Sequence, residues 1–318
     1  MNSSQGAFEN PFMKNFIVVG LGVLITYING VFVFAFFKHP VFYTDPRYIL
    51  YIHLVINDII MIFFSVSLYV LNYVLSFFSV TLCSVLLLFA TTTSENTPMN
   101  LAGMAIERYI AICKPLHHPL LCSVNRTYIL IGLIWFLNFV PALADIFISL
   151  VNGPIGIYST SIICHSKSLY GSNQHLIRFI CVNALYLSCV WVTLVFTYVK
   201  VLQAAQAATS EKVFARKAQK TILLHGMQLL LCMLAYFAPL VNYFFLALFP
   251  KNSSMILFSS YLFFNILPRL LSPLIYGIRD QNMLKYKCEK SMLGVDGVFK
   301  DGGISPADSL VVDALQRG

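Results

Sequence analysis

The sequence predicts an all-α membrane protein, a bundle of seven transmembrane helices with its amino terminus outside. Three observations predict it. Of 318 residues, 58% are hydrophobic and only 11% charged, less than half the roughly 25% charged of a soluble domain. Seven apolar runs are long enough to cross a hydrocarbon core of about 30 Å, which takes about 20 helical residues. Lys and Arg concentrate on alternate loops, which is where the cytoplasmic side holds them.

With 27 Phe, 17 Tyr and a mean hydropathy of +0.76, too little polar side chain exists to coat a globule of this length. Disorder, collagen and a disulfide-rich scaffold are excluded as well, because apolar content is high, Gly is only 16 and the 8 Cys are scattered. The first dozen residues, MNSSQGAFENPF, lack the basic start and short apolar core of a signal peptide, so the run that follows is read as an uncleaved first span. The spans are expected at 15–37, 48–73, 80–107, 127–150, 177–200, 221–249 and 254–278. They are too long and too uniformly apolar for barrel strands, and lipid leaves the backbone only helix or closed barrel. Residues 1–14 are the expected extracellular tail, 15–278 the bundle and 279–318 a cytoplasmic segment.

With the amino terminus outside, fourteen Lys and Arg fall on the inner loops and early tail against four outside, namely Lys14, Lys167, Arg178 and Lys251. That bias sets the orientation and accounts for the net charge of +8. Basic residues line one membrane face beside anionic lipid and form no aromatic-interleaved groove, so nucleic acid is not an expected partner. Two glycosylation sequons, at Asn2 and Asn252, lie outside; a third, at Asn125, lies on the inner face and is expected to stay bare.

Charged groups inside spans cost several kcal/mol unless paired or hydrated, so each is a functional candidate. They are Asp58, Glu95, Asp145 and Arg269, with Glu107 and Arg108 at an inner boundary. At about 1.5 Å per residue, Asp58 lies about 16 Å in from Arg47, Arg269 about 15 Å in from Arg279 and Asn29 about 14 Å in from Lys38. The equal depths predict an Asp58–Arg269 ion pair with Asn29 beside it, serving either as a static brace or as a switch between helix arrangements. In the third span, TTTSENTPMN (91–100) is unusually polar for mid-membrane. Ala90, Ser94, Thr97, Leu101, Met104 and Arg108 share one face by their three- and four-residue spacing, and Glu95 lies off that stripe toward a neighbouring helix. Either the hydroxyls bond back to helix carbonyls around a Pro98 kink, or the stretch lines a hydrated ligand cavity. Asp145, His175 and Arg178 collect near the outer ends of spans four and five, where a salt bridge is the expected arrangement.

Cys83 precedes Arg108 by 25 residues, roughly 37 Å of helix, which puts Cys83 at the outer, oxidising face. The long outer loop between spans four and five holds a single cysteine, Cys164, its expected disulfide partner.

Taken in order, Asn29, Leu54-x-x-x-Asp58, Cys83, Glu107-Arg108-Tyr109, Trp135, Tyr198 and Ser272-Pro273-Leu274-Ile275-Tyr276 give the core the pattern of a rhodopsin-like G-protein-coupled receptor. The strings MAIERYIAICKPLHHP (104–119) and KAQKTILLHG (217–226) resemble, more specifically, an odorant receptor. Glu107 stands where Asp is usual and Ser272 where Asn is usual. Span six carries Ala235-Tyr236-Phe237-Ala238-Pro239 in place of an aromatic-Trp-x-Pro element, and Arg269 lies outside the general pattern. These departures, with one Cys in the second outer loop, point to a divergent branch of the fish type.

The resemblance implies a receptor that works by population shift. Arg108 is the expected inner latch, held at rest by Glu107 and released toward a heterotrimeric G protein, with Tyr198 and Tyr276 placed to bond across the opened cavity. It implies a short amphipathic helix over about 280–290, with Cys288 as an acylation site. A small-molecule odorant is expected in the outer half among Thr91, Ser94, Glu95, Val182, Tyr186, Tyr236, Leu240, Tyr261 and Asn265, with Glu95 available to a ligand amine. Membrane lipid, odorant and G protein are the expected partners, a stimulatory G protein raising cyclic AMP the expected output, and the plasma membrane of sensory cilia the expected location.

The same residues admit two rival readings. An intramembrane aspartyl enzyme fails because Asp58 and Asp145 lie at different depths, and no HExxH, GxSxG or phosphate loop appears. A transporter or channel lined by Asp58, Glu95 and Arg269 is the alternative, disfavoured by seven unequal helices without internal repeats. No cofactor is expected; a retinal pigment needs a lysine within the last span, and none is there.

Overall fold

The computed structural model describes residues 10–75, 77–152, 161–162, 164, 169–170, 173–207, 226–227, 230 and 238–272. The helices follow one another as expected: α1 Pro11–Lys38, α2 Pro46–Val74, α3 Val80–Cys113, α4 Val124–Asn152, α5 Asn173–Ala207, α6 Ala238–Leu248 and α7, which begins at Ser253 and runs on to Ser272. Five of the described helices are long and apolar enough to cross a membrane: α1, α2, α4, α5 and α7. α3 is longer still at 34 residues, about 51 Å of rise, but carries the polar stretch in its middle. Of the sixth span, the described helix covers the outer part.

Local chemistry fixes the ends. Asn10 caps α1 by accepting from Phe12 N–H at 3.0 Å, and Asp45 caps α2 by accepting from Arg47 N–H at 2.9 Å. Each is followed by Pro at the first helical position, where its missing N–H is no loss. Ser79 does the same for α3 through Leu82 N–H at 3.2 Å. At the inner ends, His39-Pro40 and Lys114-Pro115 stop α1 and α3, since the residue before proline is pushed out of the helical region. The helices therefore overrun the apolar runs by a few residues.

α7 changes pitch. Leu262–Ile266 form a π turn in which Leu267 N–H reaches back to Leu262 O. Pro268 follows directly and has no N–H to give Phe264 O, so the ordinary ladder is interrupted at that point.

Polarity is turned inside out relative to a water-soluble protein. Asn29, Thr92, Asn96 and Asn138 are fully buried, whereas Phe16 and Val192 are 68% and 70% exposed. That pattern suits a hydrocarbon solvent, in which backbone and amide groups must be satisfied internally. At the outer end a two-residue antiparallel pair, β1 Phe78–Ser79 with β2 Ser161–Ile162, lays the second outer loop against the start of α3. The Cys83–Cys164 disulfide closes beside it, with Cα atoms 5.6 Å apart. Val80, Leu86 and Leu169 pack around the sulfurs.

Candidate functional site

α3 is the axle of the bundle. It packs against α2, α4 and α5, and from Glu95 to Ala105 all but Met99 are buried. The expected single inward stripe is thus too narrow: α3 is enclosed on several sides, and its polar residues face other helices.

Those polar residues are bonded. Asn57 Nδ2 of α2 donates to Thr93 O at 2.8 Å and Thr97 Oγ1 at 3.2 Å. Asn96 Nδ2 donates to Asn57 Oδ1 at 3.1 Å, and Asn138 Nδ2 of α4 donates to Asn96 Oδ1 at 2.8 Å. One chain of buried amides therefore ties α2 to α3 and α3 to α4. About one turn nearer the inner face, Trp135 Nε1 donates to His53 Nε2 at 2.9 Å. The acceptor role of Nε2 puts the imidazole proton on Nδ1, which donates to Asn100 Oδ1 at 3.1 Å. Asn100 Nδ2 ends the run on Leu50 O at 3.0 Å. Within α3, Thr93 Oγ1 also donates to Phe89 O at 2.7 Å, so part of the TTTSENTPMN stretch does satisfy its own helix. His53, Asn57, Asn96, Asn100 and Asn138 went unremarked in the sequence. Their signal was available in amides at i, i+4 in one span facing polar groups at matching depth in the next.

Asp58 and Arg269 come together as the depth arithmetic predicts. Arg269 Nε lies 3.3 Å from Asp58 Oδ1, both side chains being almost wholly buried. The same Nε–H is donated to Met61 Sδ at 3.3 Å. Asn29 is fully buried, and neither atom of its amide is hydrogen-bonded among the described residues, so it makes no bond to the pair.

At the inner end of α3, Glu107 is buried and Arg108 Nε lies 3.7 Å from its carboxylate. His118, on the one-turn helix His118–Leu121, brings Nε2 to 3.1 Å from Glu107 Oε1. Glu107 is thus gripped from two sides. Tyr109 packs its ring on Phe196 of α5 with centroids 5.6 Å apart. Tyr198 of α5 lies against span six so closely that a methyl group at Gly226 would stand 3.0 Å from its Cε2. Burial and then the Glu107 charge push the Cys122 thiol up, with Arg126 opposing, so it is a thiol at cytoplasmic pH. Pro273, Tyr276, the basic cluster at 212–220 and the tail with Cys288 lie outside the described residues.

In the outer half, Asp145 of α4 is bound by α5 on both oxygens. Arg178 Nε donates to Oδ1 at 2.6 Å, Arg178 Nη2 donates to Oδ2, and His175 Nδ1 donates to Oδ1 at 2.8 Å. This is the expected salt bridge, with a bidentate arginine. Glu95 is 8% exposed and feels the charges of Arg178 and Asp145. Since Arg178 is committed to Asp145, Glu95 has no hydrogen bond or ion pair among the described residues. Thr91, Ser94 and Val182 are half-buried.

Two aromatic candidates point elsewhere. Tyr186 donates its hydroxyl to Leu137 O of α4 at 2.5 Å, and Tyr261 shares a 2.5 Å hydrogen bond with Ser65 of α2 while stacking on Tyr69 at 5.5 Å. Tyr261 thus braces α2 against α7, away from α3 and α5. Asn265 sits half-buried in the π turn. Tyr236 and the Leu240 side chain lie outside the described residues, as does Asn2. Asn252 is exposed in the turn before α7, while Ser254 of the same sequon accepts a 2.7 Å hydrogen bond from the buried Lys14 Nζ.

Comparison with known proteins gives a consistent picture. The sequence profile of the 7 transmembrane receptor (rhodopsin family) matches residues 28–276. The chain is 30% identical over 298 residues, 90% of its length and 91% of the relative's, to Odorant receptor 131-2 of Danio rerio. It is 28% identical over 204 residues to human Olfactory receptor 11H7, covering 61% of this chain and 62% of that one. Human Olfactory receptor 4K14 is 26% identical over 297 residues, 88% of this chain and 91% of its own.

Proposed function

Given that the chain belongs to the rhodopsin family of seven-transmembrane receptors and to its olfactory branch, we propose that it binds a small odorant in the outer half of its helix bundle and activates a stimulatory G protein that raises cyclic AMP. The family is one of multi-pass membrane receptors that couple to G proteins and are not enzymes.

The observation that carries the reading is the grip on Glu107. Arg108 and His118 both lie on this buried carboxylate at the inner end of the central helix, so releasing Arg108 needs only a small shift at a place where α3, the inner loop and α5 meet. Tyr198, set against span six at Gly226, supports the same reading. An outward movement of span six would free its ring to turn toward Arg108 and, as the family resemblance implies, toward Tyr276.

The rigid part of the machine is the amide chain through Asn57, Asn96 and Asn138, which keeps α2, α3 and α4 as one body. The moving part is taken to be the inner ends of spans five to seven, beyond the Asp145–Arg178 and Ser65–Tyr261 ties of their outer halves. An agonist acts only through its difference in affinity between the two arrangements. Thr91, Ser94 and Glu95 on α3 and Val182 on α5 are proposed to meet it. Glycans at Asn2 and Asn252, an amphipathic helix after span seven and residence in the membrane of sensory cilia complete the proposal.

The test is an odorant panel on cells expressing the full chain with a cyclic-AMP readout. The expected result is a saturable response to at least one odorant, abolished by Arg108→Ala at equal surface expression. Solute flux that persists without G protein would overturn the receptor reading in favour of a transporter.

A further inference from the structure

A crevice of about 630 Å³ lies between α6 and α7, away from the α3–α5 surface proposed for the odorant. Its size falls within the roughly 300–1,000 Å³ of small-molecule sites. Val241, Asn242 and Phe245 of α6 face Ile256, Ser260 and Phe264 of α7 across it, residues that share a helix face by their three- and four-residue spacing. It starts near Asn252 at the outer rim and reaches Phe264, about three turns farther in. Phe245 and Phe263 on its walls are 43% and 53% exposed, so at this depth the mouth opens to lipid.

One atom in this apolar crevice is out of place. Asn242 Oδ1 is buried and accepts no hydrogen bond among the described residues. An amide oxygen so placed costs about 1–3 kcal/mol relative to a bonded one, and in hydrocarbon no water relieves it. Acyl chains can fill the volume but bring no donor.

We propose that this crevice is a second binding site, reached sideways from the bilayer, for a small lipophilic molecule carrying one hydrogen-bond donor, with Asn242 Oδ1 as the acceptor. An aliphatic alcohol is the simplest such ligand: its chain replaces lipid against the phenyl walls and its hydroxyl bonds the orphan oxygen. The π turn Leu262–Ile266 bends the wall at Phe263 and Phe264, so occupancy there would bear directly on the helix that holds Arg269. The proposal concerns binding alone and stands whether or not the receptor couples to a stimulatory G protein.

The test uses the full-length protein in phosphatidylcholine nanodiscs with a 1-octanol analogue carrying a mid-chain diazirine. Photolabelling is expected on peptides covering 241–264, competed by 1-octanol and not by n-octane. Asn242→Leu should lower labelling about tenfold, the loss of one hydrogen bond of about 1.4 kcal/mol. Ile256→Trp, which fills the crevice, should abolish labelling at an unchanged melting temperature and keeps the test decisive should the Asn242 variant fold poorly. Equal competition by n-octane would make the crevice a lipid groove only, and adducts confined to other helices, or unaltered by both variants, would equally overturn the site.

Discussion

Arg269 of α7 stands 3.3 Å from Asp58 of α2, yet its Nε–H is donated to Met61 Sδ, and among the described residues the nearest Asp58 oxygen accepts no hydrogen bond. Two opposite charges thus meet in the interior as an ion pair without a direct hydrogen bond between the two nearest atoms. Removing one partner leaves the other charge buried, a loss of about 3–5 kcal/mol, whereas removing both is often close to neutral. Arg269→Met and Asp58→Asn should each lower the melting temperature sharply, and the double variant should recover most of the loss. If Arg269→Met left melting, trafficking and signalling as they were, the pair would have no part in any of them.

A second prediction concerns His53, whose Nε2 accepts from Trp135 and whose Nδ1 donates to Asn100. Trp135→Phe keeps an aromatic ring but removes the donor, leaving the imidazole acceptor unpaired at about 1–3 kcal/mol. The expected result is a lower thermal midpoint with unchanged odorant selectivity. A normal midpoint would show that the hydrogen bond adds nothing to the packing.

Glu95 supplies a third. Buried, and with Arg178 already spent on Asp145, its carboxylate lacks a partner among the described residues, one that a ligand ammonium would provide. Glu95→Gln should reduce potency for primary alkylamines at least about tenfold, in line with about 1.5–3 kcal/mol for a hydrogen bond to a charged group. Alcohols of the same length should be unaffected. Unchanged amine dose-response curves would sink the idea.

Gly226→Ala is the fourth. The added methyl would stand 3.0 Å from Tyr198 Cε2 and 3.2 Å from its hydroxyl, so the ring or span six must give way, typically at about 1–3 kcal/mol. Pushing span six outward should raise basal cyclic AMP at equal surface expression. A basal level at or below that of the parent would argue that the ring yields and span six does not.

The bundle was legible because apolar length is a one-dimensional property. Helix ends were less so, since caps such as Asn10 and Asp45 lie beyond the apolar runs. Depth is also one-dimensional, and for that reason Asp58 and Arg269 were matched from residue counts alone. Facing direction is not. Asn29 has the right depth for that pair and still makes no bond to it. Tyr261 was expected beside the odorant and turns instead to Ser65. Each added residue turns a helix by about 100°, so the π turn between Tyr261 and Arg269 defeats any extrapolation from one to the other. The amides of Asn57, Asn96 and Asn138 escaped notice for another reason: a search for charge passes over neutral groups, though three of them in register tie α2, α3 and α4 together.

The Cys83–Cys164 bridge links positions 81 residues apart, and that separation also measures time. At about 5–20 residues per second, Cys83 is synthesised roughly 4–16 s before its partner, with α4 still to be made in between. During that interval the outer end of α3 lacks its cross-link, and any other thiol in the lumen is a competitor. Removal of Cys164 should therefore be felt first as retention during synthesis, before any ligand is met.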